Sequence, residues 1–184
     1  MYEIYTQETP NPNAYLFRLA TEPFSEHNLE FTRQSYPEEN DFLADLFGHR
    51  AITRLYICDN FLTVVQDGSA IWFEVAGYVR RAIMQYFSPE TIRELTNEAV
   101  LAKYRVIPPN SENPFLNEWF STKILPATEK DGGGMFLRDV DGDTLILQRV
   151  GACVTCPYVD VTLEQGILKP LQNILPNVRN IVWA

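Results

Sequence analysis

The sequence predicts an α+β protein: two small α+β domains joined by a Pro/Asn-rich linker. Three observations carry this. Short apolar runs with strand character (AYLFRLA, 14–20; AITRLYICDNFLTVVQ, 51–66) alternate with a stretch of helical period (SAIWFEVAGYVRRAIMQYF, 69–87). IPPNSENPF at 107–115 cannot continue the helical pattern before it. The 184 residues, 46% hydrophobic, suffice for one large domain or two small ones.

The expected units are residues 1–106 and 115–184, with 107–114 as the linker. In the first, the turn-rich TPNPN leads into a strand at 14–20. DFLADLF (41–47) reads as a short helix capped by Asn40 or Asp41. Residues 51–66 read as two strands bent at Asp59-Asn60. Apolar residues at 72, 75, 76, 79, 83 and 86 then form a helical stripe, with Ser69 as its opening signal. ELTNEAVLAKYR (94–105) is helical up to the linker.

The second unit reads helix–strand–strand–helix–strand. FLNEWFSTKILPA (115–127) puts Leu116, Trp119, Phe120 and Ile124 on one helix face. GMFLRDV (134–140) and DTLILQRV (143–150) are strands joined by Asp141-Gly142, a type I′ hairpin signal. Two cysteines follow, then a helix of roughly 158–175 and a last strand, VRNIVWA (178–184). Pro170 falls inside that helix, where it removes an N–H donor and predicts a kink.

Charge narrows the function classes. The net charge of −9 and pI near 4.7 would repel phosphate backbones and anionic lipid, so neither nucleic acid nor membrane is an expected partner. No run of 18 apolar residues predicts a membrane span. MYEIYTQETPNPN lacks the basic region and apolar core of a secretory signal. Three cysteines, two of them three positions apart, argue against a secreted disulfide scaffold and for a reducing compartment; the expected location is cytoplasmic.

The chemistry is concentrated in GACVTCPYVDVTLEQGI (151–167). Pro157 suits a first helical position, which makes Cys156 the expected N-cap and favours thiolate at the pair. A structural zinc site needs four ligands, and His27, His49 and Cys58 all lie far upstream of Cys153 and Cys156. An iron–sulfur cluster also takes four thiolates; one chain offers two, and two chains in a symmetric dimer offer four. The rival chemistry is a dithiol–disulfide oxidoreductase, although here the proline follows the second cysteine and the expected context is a hairpin rather than a βαβ unit. A third reading is two small buried residues that only shape a turn.

Other motifs favour structural roles. Asp131-Gly132-Gly133-Gly134 lacks a P-loop lysine and reads as a tight turn with glycines at positive φ. The acids of DVDGD (139–143) sit in a hairpin, and the calcium-loop glutamate is absent, its position being Val150. Cys58 reads as a small core residue, His27 and His49 as solvated or capping, and Trp72, Trp119 and Trp183 as core. No Ser–His–Asp set or paired carboxylates are readable.

The segment with Pro126, Asp131-Gly132-Gly133, Gly151-Ala152-Cys153-x-x-Cys156-Pro157, Thr162-Leu163, Gly166-Ile167 and Pro176-x-Val178 resembles the NifU-like C-terminal domain of the Nfu family. TPNPNAYLFRL (9–19), LADLF (43–47), NFLTVV (60–65) and Trp72 resemble the family's N-terminal domain, in the family's domain order. The resemblance implies an iron–sulfur cluster scaffold or carrier without catalytic turnover. It implies one cluster, commonly [4Fe–4S], bridging a homodimer through Cys153 and Cys156 of each subunit. It also implies transfer to apo iron–sulfur proteins and dealings with assembly-machinery proteins, with the N-terminal domain handling partners. The chain departs from the family at Tyr158 and Val159, where small residues usually follow the CxxCP, and at Pro170.

Overall fold

The computed structural model describes residues 3–20, 24–59, 61–107 and 111–184. Five strands form the first sheet: β1 (Ile4–Glu8), β2 (Ala14–Leu19), β3 (Ser25–Thr32), β4 (Ile52–Asp59) and β5 (Phe61–Gln66). They lie in the order β1-β2-β5-β4-β3, with every neighbour antiparallel. The β4–β5 hairpin bends at Asp59, whose φ of 42° puts a non-glycine residue in the left-handed region; Asn60 lies outside the described residues. β1 and β3 were not expected, because their polar and charged residues (IYTQE, SEHNLEFT) hide the alternation.

Four helices cover one face of this sheet. α1 (Asp41–Gly48) is capped by Asn40, whose side chain accepts from Leu43 N. α2 (Trp72–Tyr86) starts later than expected: Ser69 belongs to the preceding turn, where its N–H donates to Asp67, and Ile71 stands at the N-cap with no side-chain bond. The expected helix at 94–105 is two helices, α3 (Pro89–Leu95) and α4 (Glu98–Tyr104), because Asn97 caps the second. Phe42, Leu46, Val75, Val79, Ile83 and Leu95 meet Phe17, Phe31, Leu55, Ile57, Leu62 and Val64 in the first core.

The C-terminal unit carries a second sheet, β6 (Gly133–Asp141), β7 (Thr144–Gly151) and β8 (Asn180–Trp183), in the order β6-β7-β8. Asp141 pairs with Thr144, so the turn residues are Gly142 and Asp143. Only Gly142 has positive φ (60°), which is the II′ pattern and not the expected I′. β8 runs parallel to β7, so β7, the helical connection and β8 form a βαβ unit, which corrects the hairpin context expected for the cysteines.

Both helical segments of this unit carry a π turn just before a proline. α5 (Pro114–Trp119) continues through Phe120–Ile124 in π geometry into α6 (Leu125–Lys130), with Pro126 at its start. α7 (Val159–Val161) continues through Thr162–Leu168 in π geometry into α8 (Lys169–Gln172), with Pro170 at its start. A proline supplies no N–H to the helix ladder, and the wider turn takes up that missing bond without ending the helix. Pro170 is thus accommodated by a π turn in a helical run of Val159–Gln172, shorter than the expected 158–175. Of the expected linker, 108–110 lie outside the described residues; Asn113 caps α5.

The second face of the first sheet is not free. Leu16, Tyr56, Cys58 and Phe61 pack with Phe136, Val150 and Leu125, and Ala14 and Val65 with Ala152. Every residue of β5 is buried for this reason: α1–α4 cover one side and the C-terminal unit the other.

Candidate functional site

Cys153 and Cys156 lie in the connection between β7 and α7, at one pocket of about 60 Å³. That volume holds no more than a few ordered waters. Its wall is shared. Asp131, Met135, Ala152, Tyr158 and Val159 come from the C-terminal unit, and Pro10 and Asn11 from the turn between β1 and β2.

Glycines let two turns nest. Gly132 (φ 77°) and Gly151 (φ 58°) both adopt the left-handed region, and Ala152 N donates to Gly132 O at 3.1 Å. A Cβ on Gly133 would stand 2.5 Å from Cys153 Sγ and 2.7 Å from its nitrogen. A Cβ on Gly151 would stand 2.6 Å from Gly132 O. The DGG turn and the glycine before the cysteines are therefore one steric unit. The expected positive φ belongs to Gly132; Gly133 and Gly134 begin β6 with negative or extended φ.

Cys153 is 7% exposed and packs with Met135, Leu147, Val159 and Ile167. Burial pushes its thiol up to about 12; Cys156 and Asp131 push the same way, and Arg149 opposes them. The expected N-terminal stabilisation of thiolate does not decide this site. The helical run begins at Val159, and Pro157 and Tyr158 lie in a turn closed by Val159 N donating to Cys156 O at 3.4 Å. Cys156 is half-buried, and Tyr158, which lines the same pocket, is 59% exposed. Both cysteines are free thiols.

The N-terminal unit grips this loop at two points. Asn11, 1% exposed, donates from Nδ2 to Ala152 O (2.8 Å) and Thr155 Oγ1 (2.9 Å). Glu30 accepts from Gly151 N at 2.9 Å and pairs with Arg54 at 3.0 Å. Burial raises the Glu30 carboxyl above its ordinary range, against the pull of Arg54 and the Gly151 N–H. Sequence reasoning missed both residues. TPNPN signalled a turn, and nothing in it announces a partner 141 residues away.

The other candidates stay apart from the pair. Cys58 is buried and donates to Glu129 Oε1 at 3.4 Å; burial and that carboxylate push its thiol far up. His49 lies against Tyr78, and its Nδ1 accepts from Ala51 N. No cluster of three His, Cys, Asp or Glu able to hold a metal ion exists among the described residues. Trp72 is not simply core: it stacks on Tyr15 at 4.0 Å and donates to Pro12 O at 2.8 Å, bracing the turn that carries Asn11. Among the described residues no helix is long and apolar enough to cross a membrane.

Comparison with known proteins agrees with this architecture. Residues 4–90 match the model of the scaffold protein Nfu/NifU N-terminal domain, and residues 117–182 match the NifU-like domain. The chain is 25% identical over 182 residues to the mitochondrial NFU1 iron–sulfur cluster scaffold homolog of Drosophila willistoni, covering 97% of this chain and 62% of that protein. It is 25% identical to the mitochondrial NifU-like protein 5 of Arabidopsis thaliana, covering 97% of this chain and 66% of that one. The chain thus spans somewhat under two thirds of the length of these relatives. A solved structure, protein SAV1430 from Staphylococcus aureus, is 20% identical with a TM-score of 0.38, covering 44% of this chain and 98% of its own. With both domain models matched in order, at residues 4–90 and 117–182, the chain belongs to the Nfu family.

Proposed function

We propose that this chain is an iron–sulfur cluster carrier that holds its cargo through Cys153 and Cys156 and hands it to apo-proteins. The observation that carries the reading is the pair itself. Two thiols line one shallow pocket, and no further Cys, His or acidic cluster among the described residues completes a ligand set. Two copies supply the four thiolates that a cluster takes, so the cluster, which we take to be [4Fe–4S], bridges a homodimer. The half-buried Cys156 and the exposed Tyr158 at the same pocket support this side as the one that faces the second copy. Release then proceeds by exchange of these thiolates for those of a recipient, with no turnover by the chain itself.

Residues 1–106 and 115–184 act as the two functional units, with 107–114 joining them; the acidic net charge of −9 suits protein partners rather than nucleic acid. Three free thiols support a reducing compartment. The relatives' names place those proteins in mitochondria, and fractionation of the tagged chain tests the cytoplasmic expectation against that.

The βαβ context favours one rival, a dithiol–disulfide oxidoreductase. Such an enzyme would cycle the pair between dithiol and disulfide and would need neither iron nor sulfide. Anaerobic reconstitution with iron and sulfide tests the two readings. The wild type is expected to take up both elements and develop charge-transfer absorbance, and Cys153→Ser and Cys156→Ser each to lose it. Uptake undiminished in both variants would overturn the assignment of these ligands.

A further inference from the structure

The turn at Pro10–Asn13 belongs to the N-terminal unit, yet it forms part of the wall around the cysteines. Its central asparagine is not merely tolerated there. Nδ2 of Asn11 bonds Ala152 O and Thr155 Oγ1, which flank Cys153 on both sides, while its Oδ1 accepts from Asn13 N and fixes its own turn. The turn is braced from outside as well. Thr9 Oγ1 bonds the carbonyls of Asn11 (3.0 Å) and Ala14 (2.8 Å), and Trp72 holds Pro12 O. A side chain that is 1% exposed and fully used in this way leaves the loop little freedom.

We propose that Asn11 is a positioning residue for the cysteine pair: from the N-terminal domain it holds Ala152–Thr155 in place and keeps Cys153 under cover while the domains are docked. The N-terminal domain is then a wall of the cargo site and not only a platform for partners. Loading a cluster requires Cys153 to turn outward, and that movement breaks the Asn11 contacts. This rests on the carrier reading for its biological meaning, but its test does not.

The test is alkylation of the reduced, metal-free full-length chain by iodoacetamide at fixed pH, with the rate at each cysteine followed by peptide mass spectrometry. Asn11→Asp keeps the acceptor for Asn13 N and loses both donors to the cysteine loop. Thr155 can still donate its hydroxyl to the new carboxylate, but losing the Ala152 bond and setting that charge against the carbonyl predicts a rise of about tenfold in the Cys153 rate. Cys156 and Cys58 are expected to change by less than about twofold on the same reasoning. An unchanged Cys153 rate would overturn the proposal. If Asn11→Asp loosens the whole chain, Cys58, 5% exposed, reports it by reacting too. Thr155→Val then decides: it removes one acceptor on an exposed residue, and a rise confined to Cys153 supports the proposal whereas no rise overturns it. Failure of wild-type reconstitution would strike at the carrier reading alone and leave these rates as they are.

Discussion

At the residue scale, Cys153 keeps its proton because burial removes water from the thiolate before Cys156 and Asp131 add repulsion. The folded thiol ionises at about 12 and the unfolded one near its ordinary 9.0. The contribution to stability is therefore complete below pH 9 and is lost as pH rises toward 12, at no more than ~1.4 kcal/mol per pH unit. Urea unfolding at pH 8 and pH 10 should show the wild type losing about 1 kcal/mol more than Cys153→Ala between the two. Equal losses would contradict the burial of this thiol. Gly133→Ala should cost about 1–3 kcal/mol, since its Cβ would press on Cys153 Sγ and nitrogen and the strand must shift; thermal melting checks it. The pair and its glycines were legible in the sequence because their spacing carries chemistry. Asn11 and Glu30 were not, because their partners lie more than a hundred positions away and an asparagine in a turn has a sufficient local reason to be there.

At the element scale, local signals worked where the cap or period is self-contained and failed where a neighbour decides. Asn40 was readable as a cap, and it does cap α1. Its amide also donates to Glu94 on α3, 2.7 Å away, tying two helices together. Asn40→Ala should therefore cost about 1–2 kcal/mol, at the upper end for a cap, and lower the melting temperature accordingly. Asn97 shows the converse: a continuous helical pattern gave no warning that its side chain would cap a new helix. Pro126 and Pro170 teach the same lesson. The sequence predicts a kink at Pro170, and the chain answers with a π turn, a backbone adjustment that leaves no mark on hydrophobic periodicity. β8 was expected as a strand, but its parallel pairing with β7, and hence the βαβ unit, depends on a contact no local pattern encodes.

At the scale of the whole molecule, the two domains share a core. Phe136 is wholly buried among Leu16, Tyr56 and Val150, so Phe136→Ala should cost about 3–5 kcal/mol. It should also split a single unfolding transition into two, as the N-terminal domain comes away from the cysteine loop; calorimetry would show it. One transition of unchanged midpoint would contradict a shared core. Each domain's alternation is legible in the residues, but which sheet face meets the other domain is not. NFLTVV reads as a buried strand, and only the fold shows that its second face lies against the C-terminal unit. That docking leaves the thiols partly under the N-terminal turn, and on the carrier reading the resting chain guards its cargo site. On this reading two such chains meet around one cluster through Cys153 and Cys156. The anaerobic solution mass of the reconstituted wild type, taken with its iron and sulfide content, puts that to the test. A dimer holding one cluster is expected. A colourless monomer that binds no sulfide and instead cycles a test disulfide would contradict it.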